Sequence, residues 1–369
     1  LEEYFQKLTA EMPQNDRGNV ARFREVRSFA AATGFENGKI RDVLYVQMPK
    51  APDQPELTRA SLTMTTAESF LYAASFTTLF PREPLGASQQ TAGFAGVLQR
   101  SMAGLASSGV TAADWQAAFG PELGVVGEWP ANARIPALLA TVPVRDGGKA
   151  RQILRAMTIG SGAEETQWAL TESAGVQYAI QAPSSPMVPV AATIAVSDQL
   201  LIAGSDRAAV EQAIKRGTAE GAALAGSQAF KAAERLVPEA KSAFVYLDMA
   251  RFYTRLDAAI RPMLVLAATF VPSIAETVDL QKVPSPEIVT KHLSPIVLSQ
   301  KYETDGYVTE SVGPISIYHA GIGVALAAGF ANNFYPGSAA ATTAEGDATD
   351  SDASPVAPAR SPSATAGPR

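Results

Sequence analysis

Residues 29–48 read FAAATGFENGKIRDVLYVQM, and residues 296–315 read IVLSQKYETDGYVTESVGPI. In both, apolar residues alternate on either side of a short turn, Asn37-Gly38 in the first and Asp305-Gly306 in the second. Asn-Gly and Asp-Gly tolerate positive φ, so each stretch is predicted to be an antiparallel hairpin that turns at its glycine. A second echo supports repetition: SFLYAASFTTL at residues 69–79 is answered by AFVYLDMARFY at residues 243–253.

Between these phrases the pattern is one of strands joined by tight turns, with helices interspersed. Thr111-x-x-Asp114 reads as a capping box opening a helix with Trp115 and Phe119, which Gly120-Pro121 ends. LGVVGEW at residues 123–129 and PALLATVPV at residues 136–144 read as buried strands, the second leading into a helix over 146–157 with Asp146 as N-cap. A hairpin is predicted over Ala174-Gly175 and another over Asp198-Gln199, the latter feeding a helix at residues 206–216. Residues 251–270 read as a long apolar helix interrupted at Pro262. Hairpins cannot make parallel neighbours, so the prediction is an α+β fold: repeated modules of antiparallel or mixed sheet, helices packed on one face, and a disordered C-terminal tail.

Five segments follow. Residues 1–60 are expected to be the end of a first module whose front is missing, 61–225 a central module and 226–314 a last module. Residues 315–334 form an apolar Ala/Gly-rich segment, and 335–369 a tail too poor in apolar residues to offset chain entropy.

Composition excludes several classes of function. A net charge of −6 disfavours a general nucleic-acid binder, which needs a basic surface to displace counterions from phosphates. With no cysteine there is no disulfide, zinc–thiolate site, iron–sulfur cluster or thiol nucleophile. Gly147-Gly148-Lys149 lacks the spacing and the following hydroxyl of a phosphate loop, and Gly321-x-Gly323 has Leu326 where a dinucleotide fingerprint needs its third glycine. The two histidines, His292 and His319, have no partner at metal-ligand spacing. No cofactor or metal site is therefore assigned.

Several of these phrases resemble a bacterial family of exported proteins known as the domain of unknown function DUF3352. They are SFLYAASFTTL, FGPELGVVGEWP, IPALLATVPVRDGGKARQIL, IAVSDQLLIAGSDRAAVEQAI, AFVYLDMARFY and LSPIVLSQKYETDGYVTESVGP. The resemblance covers most of residues 20–315 and implies a periplasmic or membrane-anchored α+β protein with repeated modules. It implies no activity. The exported leader expected of that family is not visible at the front of this chain.

Two features could still carry function. Glu122, Glu128, Asp248 and Asp257 fall near predicted strand ends, and paired carboxylates can run acid–base chemistry without histidine. Residues 320–331 are uncharged, with Gly321, Ala325 and Gly329 at every fourth position, the spacing that lets helices approach closely in a membrane or against a partner. The expectation is a non-enzymatic, exported cell-envelope structural or binding protein that meets a protein or envelope partner, with possible membrane association through residues 315–334. The alternative is a carboxylate-dependent, hydrolase-like enzyme with its cleft between modules.

Overall fold

The computed structural model describes residues 25–50, 55–76, 108–159, 168–181, 191–217, 223–270 and 284–317. All of them belong to one compact unit, Leu1–Val324. Twelve strands make one sheet: β1 (Ser28–Glu36), β2 (Lys39–Gln47), β3 (Leu71–Phe76), β4 (Glu122–Glu128), β5 (Ala137–Pro143), β6 (Trp168–Ser173), β7 (Val176–Gln181), β8 (Thr193–Val196), β9 (Leu200–Gly204), β10 (Ala243–Leu247), β11 (Ile296–Glu303) and β12 (Gly306–Gly313). Between them run a 3-10 turn, η1 (Ala60–Met64), and helices α1 (Ala112–Ala118), α2 (Gly147–Ile159), α3 (Arg207–Gly217), α4 (Ala223–Gly226), α5 (Gln228–Glu234), α6 (Met249–Phe270) and α7 (Pro286–Thr290).

The strand order is β1-β2-β12-β11-β10-β3-β4-β5-β9-β8-β7-β6, and every adjacent pair is antiparallel. This order is symmetric about the boundary between β10 and β3. Outward on one side come β11, β12, β2 and β1, and on the other β4, β5, β9 and β8, beyond which β7 and β6 continue the sheet. The connections match as well. Hairpin β1–β2 leads through η1 into β3, and hairpin β8–β9 leads through α3, α4 and α5 into β10. Segments 1–60, 61–225 and 226–314 thus all contribute strands to one sheet.

Both halves of the first echo are antiparallel hairpins, and they lie side by side through β2 and β12. The first turns at Asn37 (φ 51°) and Gly38 (φ 75°), the two left-handed residues that a tight hairpin with the strand's own twist requires. The second turns one residue earlier than expected, at Thr304 (φ 53°) and Asp305, so that Glu303 pairs with Gly306. Gly306 serves packing instead: a Cβ there would meet the Val46 carbonyl oxygen at 2.6 Å and the Tyr45 ring at 2.7 Å.

The expectation of helices on one face is corrected. Along β9, Leu200 and Ile202 share a core with Val210 and Ala213 of α3, whereas Leu201 and Ala203 pack with Ala150, Ile153, Leu154 and Met157 of α2. Side chains alternate across a strand, so α2 and α3 cover opposite faces. The cause lies in TIAV and LLIAG, strands apolar at nearly every position and buried throughout, which need a cover on each side. The α6 expectation is also corrected, because the helix runs through Pro262 without a break. Ala258, whose carbonyl loses its donor there, is exposed and open to solvent. The capping box at Thr111 and Asp114 is present as predicted.

Candidate functional site

Buried polar groups gather on the face of β4 that meets η1. Even-numbered positions of β4 point to that face, which places Glu122, Gly124, Val126 and Glu128 in one row. The two carboxylates at its ends are buried, Glu122 to 3% exposure.

Glu122 is enclosed by donors. Its Oε2 accepts from the backbone N–H of Thr58 at 2.7 Å, the Thr58 hydroxyl at 2.8 Å and the N–H of Arg59 at 3.1 Å, while Oε1 accepts from the N–H of Ala60 at 2.9 Å. The chain wraps the carboxylate in this way because Arg59 takes a left-handed conformation, φ 54°. That bend also sends the Arg59 guanidinium to an ion pair with Glu234 of α5, 4.1 Å above the ring of Phe244.

At the opposite end, Glu128 meets Nη2 of Arg216 at 2.9 Å and the Ser69 hydroxyl at 3.3 Å, and Nε of Arg216 donates to the Met64 carbonyl at 2.8 Å. The two carboxylates therefore hold the start and end of η1 against the sheet. Between them two hydroxyls crowd around Gly124. A Cβ on that glycine would lie 2.1 Å from Ser61 Oγ and 2.4 Å from Thr141 Oγ1, and Tyr72 of β3 stands opposite Val126, the next residue of the row. Among the described residues the Ser61, Thr141 and Tyr72 hydroxyls have no hydrogen-bond partner. Burial pushes the Tyr72 phenol far up. The nearby Ser61 hydroxyl draws it back slightly, without forming a bond of normal geometry.

Asp42 is a third buried carboxylate, 2% exposed in the middle of β2. It accepts from the Thr33 hydroxyl at 2.7 Å, the Ile317 N–H at 2.7 Å and the Ser311 hydroxyl at 3.4 Å. Burial alone would raise its pKa. The donors from Thr33, Ile317, Ser316 and Ser311 outweigh it and hold the carboxyl below its ordinary value.

Of the four carboxylates singled out in the sequence, the two on β4 are held apart. Glu122 and Glu128 are six residues apart on one strand, about 20 Å at the rise of a β-strand. Glycosidase carboxylates, by comparison, work roughly 5–9.5 Å apart. Asp248 caps α6 through the Arg251 N–H at 3.0 Å, and Asp257 takes Arg261 in a two-pronged pair at 2.7 and 3.0 Å. Among the described residues no group of three or more His, Asp or Glu is placed to hold a metal ion, and no helix is long and apolar enough to cross a membrane. Gly321, Ala325 and Gly329 lie outside the described residues, as does His319. His292 is exposed just after α7, and Lys149 is exposed at the start of α2.

Sequence reasoning missed Asp42, Arg59 and Arg216. Asp42 carried a signal, since a charge at the centre of an apolar-alternating strand needs internal partners. Arg59 and Arg216 carried none, because their partners are 175 and 88 residues away. Comparison of the chain with protein-family models, with curated proteins and with solved structures returns no match.

Proposed function

We propose that this chain is a non-enzymatic structural or binding component of the bacterial cell envelope, built from two copies of one unit. The observation that carries the reading is the fate of its carboxylates. Glu122, Glu128, Asp248 and Asp257 are each engaged by a different set of internal donors, which favours a structural role for these four over acid–base chemistry. The symmetric strand order supports the repeated unit: a hairpin, a helical link, a central strand and a second hairpin, once over β1–β5 and again over β8–β12. An envelope location rests on the sequence resemblance described above. Membrane association through residues 315–334 rests on composition alone; residues 318–334 and the tail over residues 335–369 lie outside the described residues.

The reading is tested by deleting the gene in its host, scoring envelope integrity by detergent sensitivity, and complementing with charge-neutralised variants. Asp248→Asn and Asp257→Asn are expected to restore wild-type resistance wherever they fold. Failure of a folded variant to complement would point to carboxylate chemistry. Recovery of the natural gene product only from the cytosolic fraction would overturn the envelope assignment.

A further inference from the structure

Among the described residues nothing covers one end of the sheet. β1 is the outermost strand, all nine of its residues are exposed, and its register with β2 runs from Ser28 to Glu36 without a bulge. Edge strands are ordinarily protected against pairing by proline, lysine, a bulge or a covering element. SFAAATGFE has none of the first three, and its only charge is Glu36 at the end. The symmetry of the sheet makes this edge more telling. β8 holds the position equivalent to β1, and its outer side is already taken by β7 in a regular antiparallel ladder.

We propose that β1 is a self-association edge, at which a second copy of this chain pairs antiparallel through residues 28–36 about a two-fold axis at Ala32. The backbone fixes which groups are available. A two-residue turn at Asn37-Gly38 makes Glu36 and Lys39 a hydrogen-bonded pair, and such pairs alternate along the ladder. Even-numbered residues of β1 therefore spend their N–H and C=O groups on β2, while those of Phe29, Ala31, Thr33 and Phe35 point outward. With the axis at Ala32, Phe29 falls opposite the second copy's Phe35, and Ala31 opposite the second copy's Thr33. Every outward-facing residue then meets an outward-facing residue, and the free backbone groups of these four are satisfied on each copy.

The side chains match in the same register. Phe29 and Phe35 are 76% and 79% exposed and lie on one face of the sheet, so the pairing makes two cross-strand phenylalanine pairs. A shift by two residues breaks both. Small residues fill the centre, and Glu36 lands opposite the second copy's Ser28, so no like charges meet. Four phenylalanines at roughly 150–250 Å² each supply a large share of the ~1,200 Å² at the lower end of stable interfaces. An isologous contact of this kind closes on itself and leaves a discrete dimer.

The chain contains no cysteine, which allows a clean register test on the full-length protein. In the proposed pairing the two copies of residue 32 are direct neighbours, about 4.5–5.5 Å apart. The two copies of residue 30 are offset by four residues, about 13 Å. Wild-type protein is expected to sediment as a concentration-dependent dimer. Ala32→Cys is expected to form a covalent dimer on mild oxidation, and Ala30→Cys is expected to do so at least tenfold more slowly. Ala31→Pro removes an outward-facing N–H and leaves the ladder to β2 intact, so it is expected to weaken the dimer at least tenfold with unchanged circular dichroism. A protein that stays monomeric at all concentrations overturns the proposal. So does a dimer that Ala31→Pro leaves intact, or cross-linking of Ala30→Cys as fast as Ala32→Cys.

Discussion

Tyr72 of β3 and Tyr246 of β10 stand directly opposite one another where the two halves of the sheet meet. Both are buried, and Phe230 of α5 lies edge-on to each, with ring centroids 6.4 and 5.0 Å away. Such tilted contacts place the positive ring edge on the negative ring face. Burial pushes the Tyr246 phenol up to about 12, with Asp248 adding to the rise, and the Tyr72 phenol higher still. Both rings stay neutral below these raised values, so the centre of the sheet adds no pH dependence below the ordinary phenol value of 10.0 and destabilises the fold as pH rises above it.

Tyr72→Phe is expected to leave stability unchanged or to raise it by up to about 1 kcal/mol, since the deleted hydroxyl is buried without a partner among the described residues. Tyr72→Ala, by contrast, is expected to cost roughly 3–5 kcal/mol as a cavity. Urea denaturation of the two variants checks this. A clear loss in Tyr72→Phe would show that the hydroxyl makes a bond through solvent.

Glu122→Ala removes the acceptor that gathers three backbone N–H groups and a hydroxyl at the start of η1. Buried donors left unpaired cost about 1–3 kcal/mol each where water cannot reach them. A total loss on the order of 3 kcal/mol is expected, accompanied by faster hydrogen exchange at Thr58, Arg59 and Ala60. Thr58→Ala removes only the hydroxyl and is expected to cost about 1 kcal/mol.

Asp42 gives the fold an acid-sensitive joint. Its folded pKa lies below the ordinary value of 3.8, so its contribution is complete above the ordinary carboxyl range and is lost as pH falls through the depressed folded value. Asp42→Asn is expected to be less stable at neutral pH and to show a shallower fall of melting temperature under acid. Parallel melting curves for wild type and variant across the acid range would contradict this assignment.

Two hairpin glycines, one in a turn and one in a strand, are expected to fail for different reasons. Gly38→Val forces a branched side chain into positive φ and is expected to cost about 1–2 kcal/mol. Gly306→Ala needs no unusual φ, but it drives a methyl group into the Val46 carbonyl and the Tyr45 ring, with an expected cost of roughly 1–3 kcal/mol. Gly38→Asn, which tolerates left-handed backbone, is expected to recover most of the first loss, whereas Gly306→Asn is not expected to recover the second. Thermal melts of the four variants distinguish the two mechanisms.

The hairpins were legible in the sequence because their information is local. Asn37-Gly38 and Ala174-Gly175 carry their own turn chemistry, and the Thr111–Asp114 box spans four residues. The second turn was placed one residue late because Asp-Gly is a turn signal whether or not the glycine sits in the turn, and here Tyr45 and Val46 dictate its use. Covering helices on both faces could have been read from TIAV and LLIAG, which are apolar at every position but Thr193. The clasp around η1 could not. Arg59 and Glu234 are ordinary surface residue types in sequence, and only the fold sets one above Phe244 and beside the other.

The pairing of β2 with β12 ties nearly the first described residues to nearly the last, Arg41 meeting Glu310 across 269 positions of chain. A ribosome releasing this protein therefore exposes the leading hairpin long before its neighbour exists. Until residues 306–313 emerge, Tyr45, Val46 and their neighbours offer an open strand edge to whatever is nearby, including other nascent copies. Contacts so distant in sequence also close slowly. The biogenesis of this protein is thus expected to depend on a holding chaperone, or on synthesis sparse enough to keep incomplete chains apart.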